Sequence, residues 1–111
     1  MVTLDTNIII YYLKKEIPVV EMLNRIFFVE PAPFIASVTE LELLSSPTLT
    51  PKDIEEIDLL LTTLSIIMLD SHITRKAGEL RRLYPHLKLA DSAIAATALF
   101  THSTLLTRNI K

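Results

Sequence analysis

The sequence predicts an α/β fold in which a mostly parallel sheet carries helices on both faces. Short apolar runs of strand length alternate with longer segments of helical period, in the order strand, helices, strand, helices, strand, helices, strand. The strand runs are continuously apolar rather than alternating, as expected where both sheet faces are covered. Half of the residues (50%) are hydrophobic and Gly occurs once among 111, which suits one helix-rich, well-buried domain and excludes a disordered chain.

Met1-Val2-Thr3-Leu4 reads as a buried strand. Residues 6–14 are rich in β-branched and aromatic types, but a strand through Asp5-Thr6-Asn7 would carry a polar break. A helix capped by Asp5 or Thr6 explains that break better. Pro18 starts a second helix to Phe28, with Val19, Val20, Leu23, Ile26 and Phe27 on one face. Phe34-Ile35-Ala36-Ser37 is a strand and Val38–Leu44 a helix, broken by Ser45-Ser46-Pro47. Pro51 with Asp53, Glu55 and Glu56 suits the first turn of a helix reaching Leu64, with Ile54, Ile57, Leu60, Leu61 and Leu64 as its core stripe. Ile66–Leu69 is the third strand. Asp70 caps a helix over Ser71–Tyr84, which Pro85 ends. Asp91–Phe100 is the last helix and Thr104–Thr107 the last strand.

No apolar run reaches the roughly 18 residues of a membrane span. The start shows no basic signal-peptide region, and the absence of Cys excludes a disulfide scaffold and Cys-ligated zinc. A cytoplasmic protein that uses no membrane is expected. The net charge of −2 does not advertise nucleic-acid binding, yet charge is unevenly placed. Lys52 is the only basic residue between Ile26 and Ser71, whereas Arg75, Lys76, Arg81, Arg82 and Lys88 face one acid, Glu79, between His72 and Lys88. That stretch is either a solvated helix face or a contact for a phosphate backbone.

Asp5, Glu40 and Asp91 stand where strands end or helices begin. In a parallel sheet those places share one edge, where ligands bind. Carboxylates gathered there repel one another unless a hard cation neutralises them, which points to metal-dependent phosphate chemistry. Each acid also has a local use. Asp5 and Asp91 occupy positions of helix caps, worth about 1 kcal/mol each. Glu40 lies in a first turn, where the macrodipole favours it. Ala90, Ser92, Ala93, Ala95, Ala96 and Ala98 would let the last helix approach the sheet and bring Asp91 close to Asp5. Thr107 and Asn109 are polar groups that fit either the same ring or a plain turn. His72, His86 and His102 share no ligand spacing.

The chain resembles the PIN-domain ribonucleases, and among them the VapC-type toxins of toxin–antitoxin pairs. The resemblance runs over all 111 residues through Leu4-Asp5-Thr6-Asn7-Ile8, Ser37-Val38-Thr39-Glu40-Leu41, Leu89-Ala90-Asp91-Ser92-Ala93-Ile94-Ala95-Ala96 and Leu105-Leu106-Thr107-Arg108-Asn109-Ile110-Lys111. It implies a PIN-like three-layer sandwich, with four visible strands in the order 3-2-1-4. One PIN-like domain would cover residues 1–111, either a shortened member without the family's usual final helix and strand or one whose C-terminus is missing. The family's near-invariant acids fall on Asp5, Glu40 and Asp91. Its more variable fourth acid falls on Asn109, which is not acidic, or beyond Lys111.

The implied activity is hydrolysis of an RNA phosphodiester with Mg²⁺ or Mn²⁺. Asp5 and Asp91 are the expected metal ligands, and Glu40 is a ligand or the group orienting the attacking water. Asn7, Ser37, Thr107 and Asn109 are expected to hold ligands or waters, and Arg108, Arg81 and Arg82 to contact RNA. Implied partners are RNA, an antitoxin and a second copy in a homodimer. The apolar surface of the helices at 6–28 and 53–64 also calls for a partner. The alternative is a catalytically inactive PIN domain that binds protein or RNA. A haloacid-dehalogenase-type phosphatase would need a second Asp where Asn7 stands. A response-regulator receiver would need an acid pair beside Asp5, even if Asp70 served as its strand-three Asp.

Overall fold

A computed structural model of the chain describes residues 1–30 and 32–107. In chain order the elements are β1 (Val2–Leu4), α1 (Thr6–Leu13), α2 (Ile17–Val29), β2 (Phe34–Ala36), α3 (Ser37–Leu43), α4 (Pro51–Leu61), β3 (Ser65–Ile67), α5 (Ser71–Leu83), α6 (Leu89–Phe100) and β4 (Thr104–Leu106). The strands pair in parallel in the order β3-β2-β1-β4, as expected. Thr3 pairs with Phe34 on one side of β1 and with Leu105 on the other. Among the described residues, no helix is long and apolar enough to cross a membrane.

The period of two along each strand divides the core. Leu4 and Ile35 are fully buried in a large cluster with Ile8, Ile9, Val19, Leu23, Ile57 and Leu60, and Val2, Ile66 and Leu106 pack against it. These residues join α1, α2 and α4 to one face of the sheet. On the other face Ile67 packs with Ile73, Ala77 and Ala96 of α5 and α6. There α6 lies directly on β1, β2 and β4. Its buried side is small or β-branched: Ser92, Ala93, Ile94, Ala96, Thr97 and Ala98. Small side chains permit that close approach, as the alanine run suggested.

Several boundaries differ from the expected ones: α4 ends at Leu61 rather than Leu64, Ser37 begins α3 rather than ending β2, and three others have a clear physical reason. First, β3 stops at Ile67 rather than Leu69. Its neighbour β2 ends at Ala36, where α3 begins, so Met68 and Leu69 have no ladder to join. The Leu69 N–H instead donates to Ser37 Oγ at 3.1 Å. Second, β4 stops at Leu106, opposite the last residue of β1. Third, α6 starts at Leu89, with Lys88 as an extended N-cap that makes no side-chain cap bond. Leu and Ala are strong helix formers, so nothing delays the helix until Asp91. Asp91 is therefore the third helical residue rather than a cap.

Other helix starts agree with expectation. Asp70 Oδ1 accepts from the Ile73 N–H at 3.0 Å and caps α5. In α4, Thr50 Oγ1 accepts from the Asp53 N–H at 3.1 Å and Asp53 Oδ2 accepts from the Thr50 N–H at 2.9 Å. This reciprocal pair satisfies two backbone donors at once.

Candidate active site

Asp5 follows β1 and holds the N-cap position of α1, with extended backbone (φ −71°, ψ 152°) but no side-chain cap bond. Its carboxylate turns across the sheet edge instead, and Oδ2 accepts from Thr107 Oγ1 at 2.5 Å. The backbone fixes the same junction, since the Asp5 N–H donates to Leu106 O at 3.0 Å. Asp5 is half-buried.

A cleft of about 250 Å³ opens at this edge, lined by Asp5, Asn7, Leu87, Asp91, Ile94, Ala95, Leu105 and Thr107. Asp91 reaches it from the first turn of α6 and is exposed to solvent. Ala95, one turn further along α6, keeps that wall thin, and Leu105 presents the apolar side of β4. Two carboxylates, an amide and a hydroxyl thus meet in an open pocket with apolar walls. Hard oxygen donors of this kind suit Mg²⁺, which is held by one or two carboxylates and keeps several waters. The set does not extend to a full protein cage. Among the described residues, no group of three or more His, Cys, Asp or Glu side chains is arranged to hold a metal ion.

Of the expected residues, the structure brings Asp5, Asn7, Asp91 and Thr107 together. Glu40 does not line the cleft. Ser37 accepts the Leu69 N–H and so ties β2 to the segment after β3. Arg81 donates from Nε to Leu87 O at 3.1 Å. Arg81 and Arg82 both line a wider groove between α3, α5 and α6. Arg108 and Asn109 lie outside the described residues.

One acid absent from the expected set bonds the residue after Asp5, although, like Glu40, it does not line the cleft. Glu42 Oε1 accepts from Thr6 Oγ1 at 2.6 Å, and Thr6 directly follows Asp5. Thr6 Oγ1 also lies 2.9 Å from Thr39 Oγ1. A hydroxyl has one proton. Thr6 donates it to Glu42, so Thr39 donates to Thr6, and the relay runs Thr39 to Thr6 to Glu42. Thr39 is fully buried and Thr6 nearly so, which fixes the α3 side of the relay against α1. Residues two apart on a helix point roughly 200° apart. With Glu42 turned to α1, Glu40 points away from it. The sequence carried a partial signal, because Thr39 and Glu42 are three apart and share a helix face. Glu40 is one residue from Thr39 and three from the buried Leu43, so spacing alone ranks the two acids equally.

The family profile described as "PIN domain" matches residues 2–111. The chain belongs to the PIN domain family. As a PIN domain it places its acidic cleft at the carboxyl edge of the sheet, beside the central strand β1 and the edge strand β4. Its fold is similar to a toxin–antitoxin complex chain from Klebsiella pneumoniae, with TM-score 0.85 and 28% identity over 100% of this chain and 88% of that one. It is also similar to VapBC2 from Rickettsia felis, solved bound to a promoter DNA fragment, with TM-score 0.83 and 28% identity over 100% and 90%. A DNA-bound VapBC from Salmonella typhimurium shares the fold at TM-score 0.73 and 24% identity, over 87% of this chain and 77% of that one. No curated protein matches the chain.

Proposed function

We propose that this PIN domain is a metal-dependent endoribonuclease, the toxin of a type II toxin–antitoxin pair. One observation carries the reading. Asp5 leaves its own helix uncapped and shares an open cleft with Asp91. Membership of the PIN family and the likeness to toxin–antitoxin chains at 28% identity support it.

Bound in the cleft, Mg²⁺ or Mn²⁺ supplies Lewis-acid polarisation of a phosphoryl oxygen and a water of lowered pKa. Asp5 and Asp91 would hold the ion. Thr107 fixes the Asp5 carboxylate through its hydroxyl, leaving Oδ1 for the ligand. The acid from α3 is assigned to Glu42 rather than Glu40, because the relay from Thr39 through Thr6 holds Glu42 on the residue that directly follows Asp5. Its task is to orient the attacking water. Asn7 offers an amide at the cleft rim, and Leu87, Ile94 and Leu105 exclude bulk water. Single-stranded or loop RNA is the substrate class, because a splayed strand reaches a recessed pocket. Arg82, together with the donors left on Arg81, contacts its phosphates. Antitoxin and a second copy cover the apolar surface that remains, including the exposed Ile17, Phe28, Val29 and Leu59 of α2 and α4 and the segments beside them. The protein then works in the cytoplasm.

The test is cleavage of an unstructured RNA by the purified chain in Mg²⁺, with a chelated control and the Asp5→Asn variant. Metal-dependent cleavage lost in the variant is expected. A second reading, an inactive PIN domain that only binds, is favoured by the lack of a three-acid group among the described residues. It predicts RNA or protein binding with no cleavage in any metal.

A further inference from the structure

The turn joining α5 to α6 carries one wall of the acidic cleft, yet little holds it. Tyr84, Pro85, His86 and Lys88 are exposed, and only Leu87 is half-buried. The Leu87 side chain lines the cleft with Asp5 and Asp91. Its N–H donates to Tyr84 O at 2.9 Å, closing a tight turn. Its carbonyl accepts from Arg81 Nε at 3.1 Å. That carbonyl immediately precedes Lys88, the N-cap of α6, and Asp91 follows in the first turn. Lys88 makes no side-chain cap bond, so the helix start lacks the usual local anchor.

We propose that Arg81 is a positioning residue for the cleft: its guanidinium latches the α5–α6 turn through Leu87 O and so sets where Leu87 and Asp91 stand. The catalytic consequence rests on the nuclease reading, whereas the latch itself does not. Arg81 is well suited to the task. It lies in the last turn of α5, directly before the turn it spans, and lines the same groove as Leu89 and Ala90 of α6. A planar guanidinium keeps Nε–H aimed along a fixed direction, while a lysine ammonium swings on its stem. Arg82, its neighbour in sequence, makes no such bond to another described residue and is the built-in control.

The experiment compares the full chain with Arg81→Met, Arg81→Lys and Arg82→Met. Amide hydrogen exchange is read over 84–92, and the Mg²⁺-induced thermal shift and the salt dependence of RNA binding are read in parallel. Arg81 is exposed, so its replacement leaves both cores intact. Arg81→Met should speed exchange over the turn and the start of α6 by about three- to tenfold, the equivalent of one hydrogen bond, and weaken apparent Mg²⁺ affinity by a similar factor. Arg82→Met should leave both at the wild-type value, and Arg81→Lys should fall between. Unchanged exchange in Arg81→Met, with the RNA salt slope lowered by about one, would make Arg81 a phosphate contact and overturn the latch. A wild-type chain with no Mg²⁺ shift would count against the nuclease reading, while the exchange data would still decide the latch.

Discussion

Two pairs of acids stand at helix starts in this chain, and they are used differently. Asp53 and Asp70 close on their own helices, each through a backbone N–H or its reciprocal. Asp5 and Asp91 do not. Asp5 holds the cap position of α1 but bonds Thr107 across the sheet edge. Asp91 sits in the first turn of α6, exposed and without a side-chain hydrogen bond to another described residue. The first pair is accounted for by local stability. The second leaves carboxylate oxygens facing a cleft, and on the proposed reading a ligand takes them up. An acid at a helix start therefore has two meanings, and its partner atoms decide which applies.

The comparison breaks most sharply on activity. Asp5→Asn and Asp91→Asn should each lower Mg²⁺-dependent RNA cleavage by more than about a hundredfold, since even groups that merely orient a ligand cost ten- to a hundredfold. RNA affinity should hold or rise as negative charge is removed. Asp70→Asn should cleave like the wild type.

Next in size is the choice within α3. Glu42→Gln should lower cleavage by about ten- to a hundredfold, and Glu40→Gln should leave it nearly unchanged. The reverse ranking, read in the same assay, would return the second acid to Glu40 and deprive the Thr6 relay of a role.

On stability the order inverts. Asp70→Ala or Thr50→Ala should cost about 1 kcal/mol in denaturant unfolding, the ordinary value of a helix cap. Asp91→Asn should cost nothing measurable.

The smallest effect is in acid. The backbone N–H and hydroxyl of Thr50 hold the Asp53 carboxyl below its ordinary value of 3.8. A depressed folded-state pKa adds stability above the unfolded value and loses it as pH falls through the folded one. Asp53→Asn should thus flatten the stability curve slightly below pH 3.8 and leave neutral pH nearly untouched.

Much of this was legible in the sequence. Strand order aside, the alternation of apolar runs and helical periods placed every described element, and Asp70 was readable as a cap because a strand, an acid and an amphipathic helix follow in direct succession. What was not legible depended on neighbours. The start of α6 was misplaced because Asp91 looks like a cap, although Leu89 and Ala90 extend the helix ahead of it. The ends of β3 and β4 follow from where their partners stop, which no local pattern records. Glu40 and Glu42 flank the same buried face, and only the approach of Thr6 separates them. Ser37 was expected at the site, but β3 ends early and the unpaired Leu69 N–H takes its hydroxyl oxygen.

The most direct test of the central distinction is thermal unfolding of the wild type, Asp5→Asn, Asp91→Asn and Asp70→Asn, each with and without Mg²⁺ or Mn²⁺. Binding to the folded state alone raises the melting temperature by mass action. The metal should therefore stabilise the wild type and Asp70→Asn but neither of the other two. Without metal, Asp91→Asn should match or exceed the wild type, because one of two crowded charges is gone. A metal shift that survives Asp91→Asn, or a loss of about 1 kcal/mol in its metal-free form, would make Asp91 a capping acid like Asp70 and contradict the account.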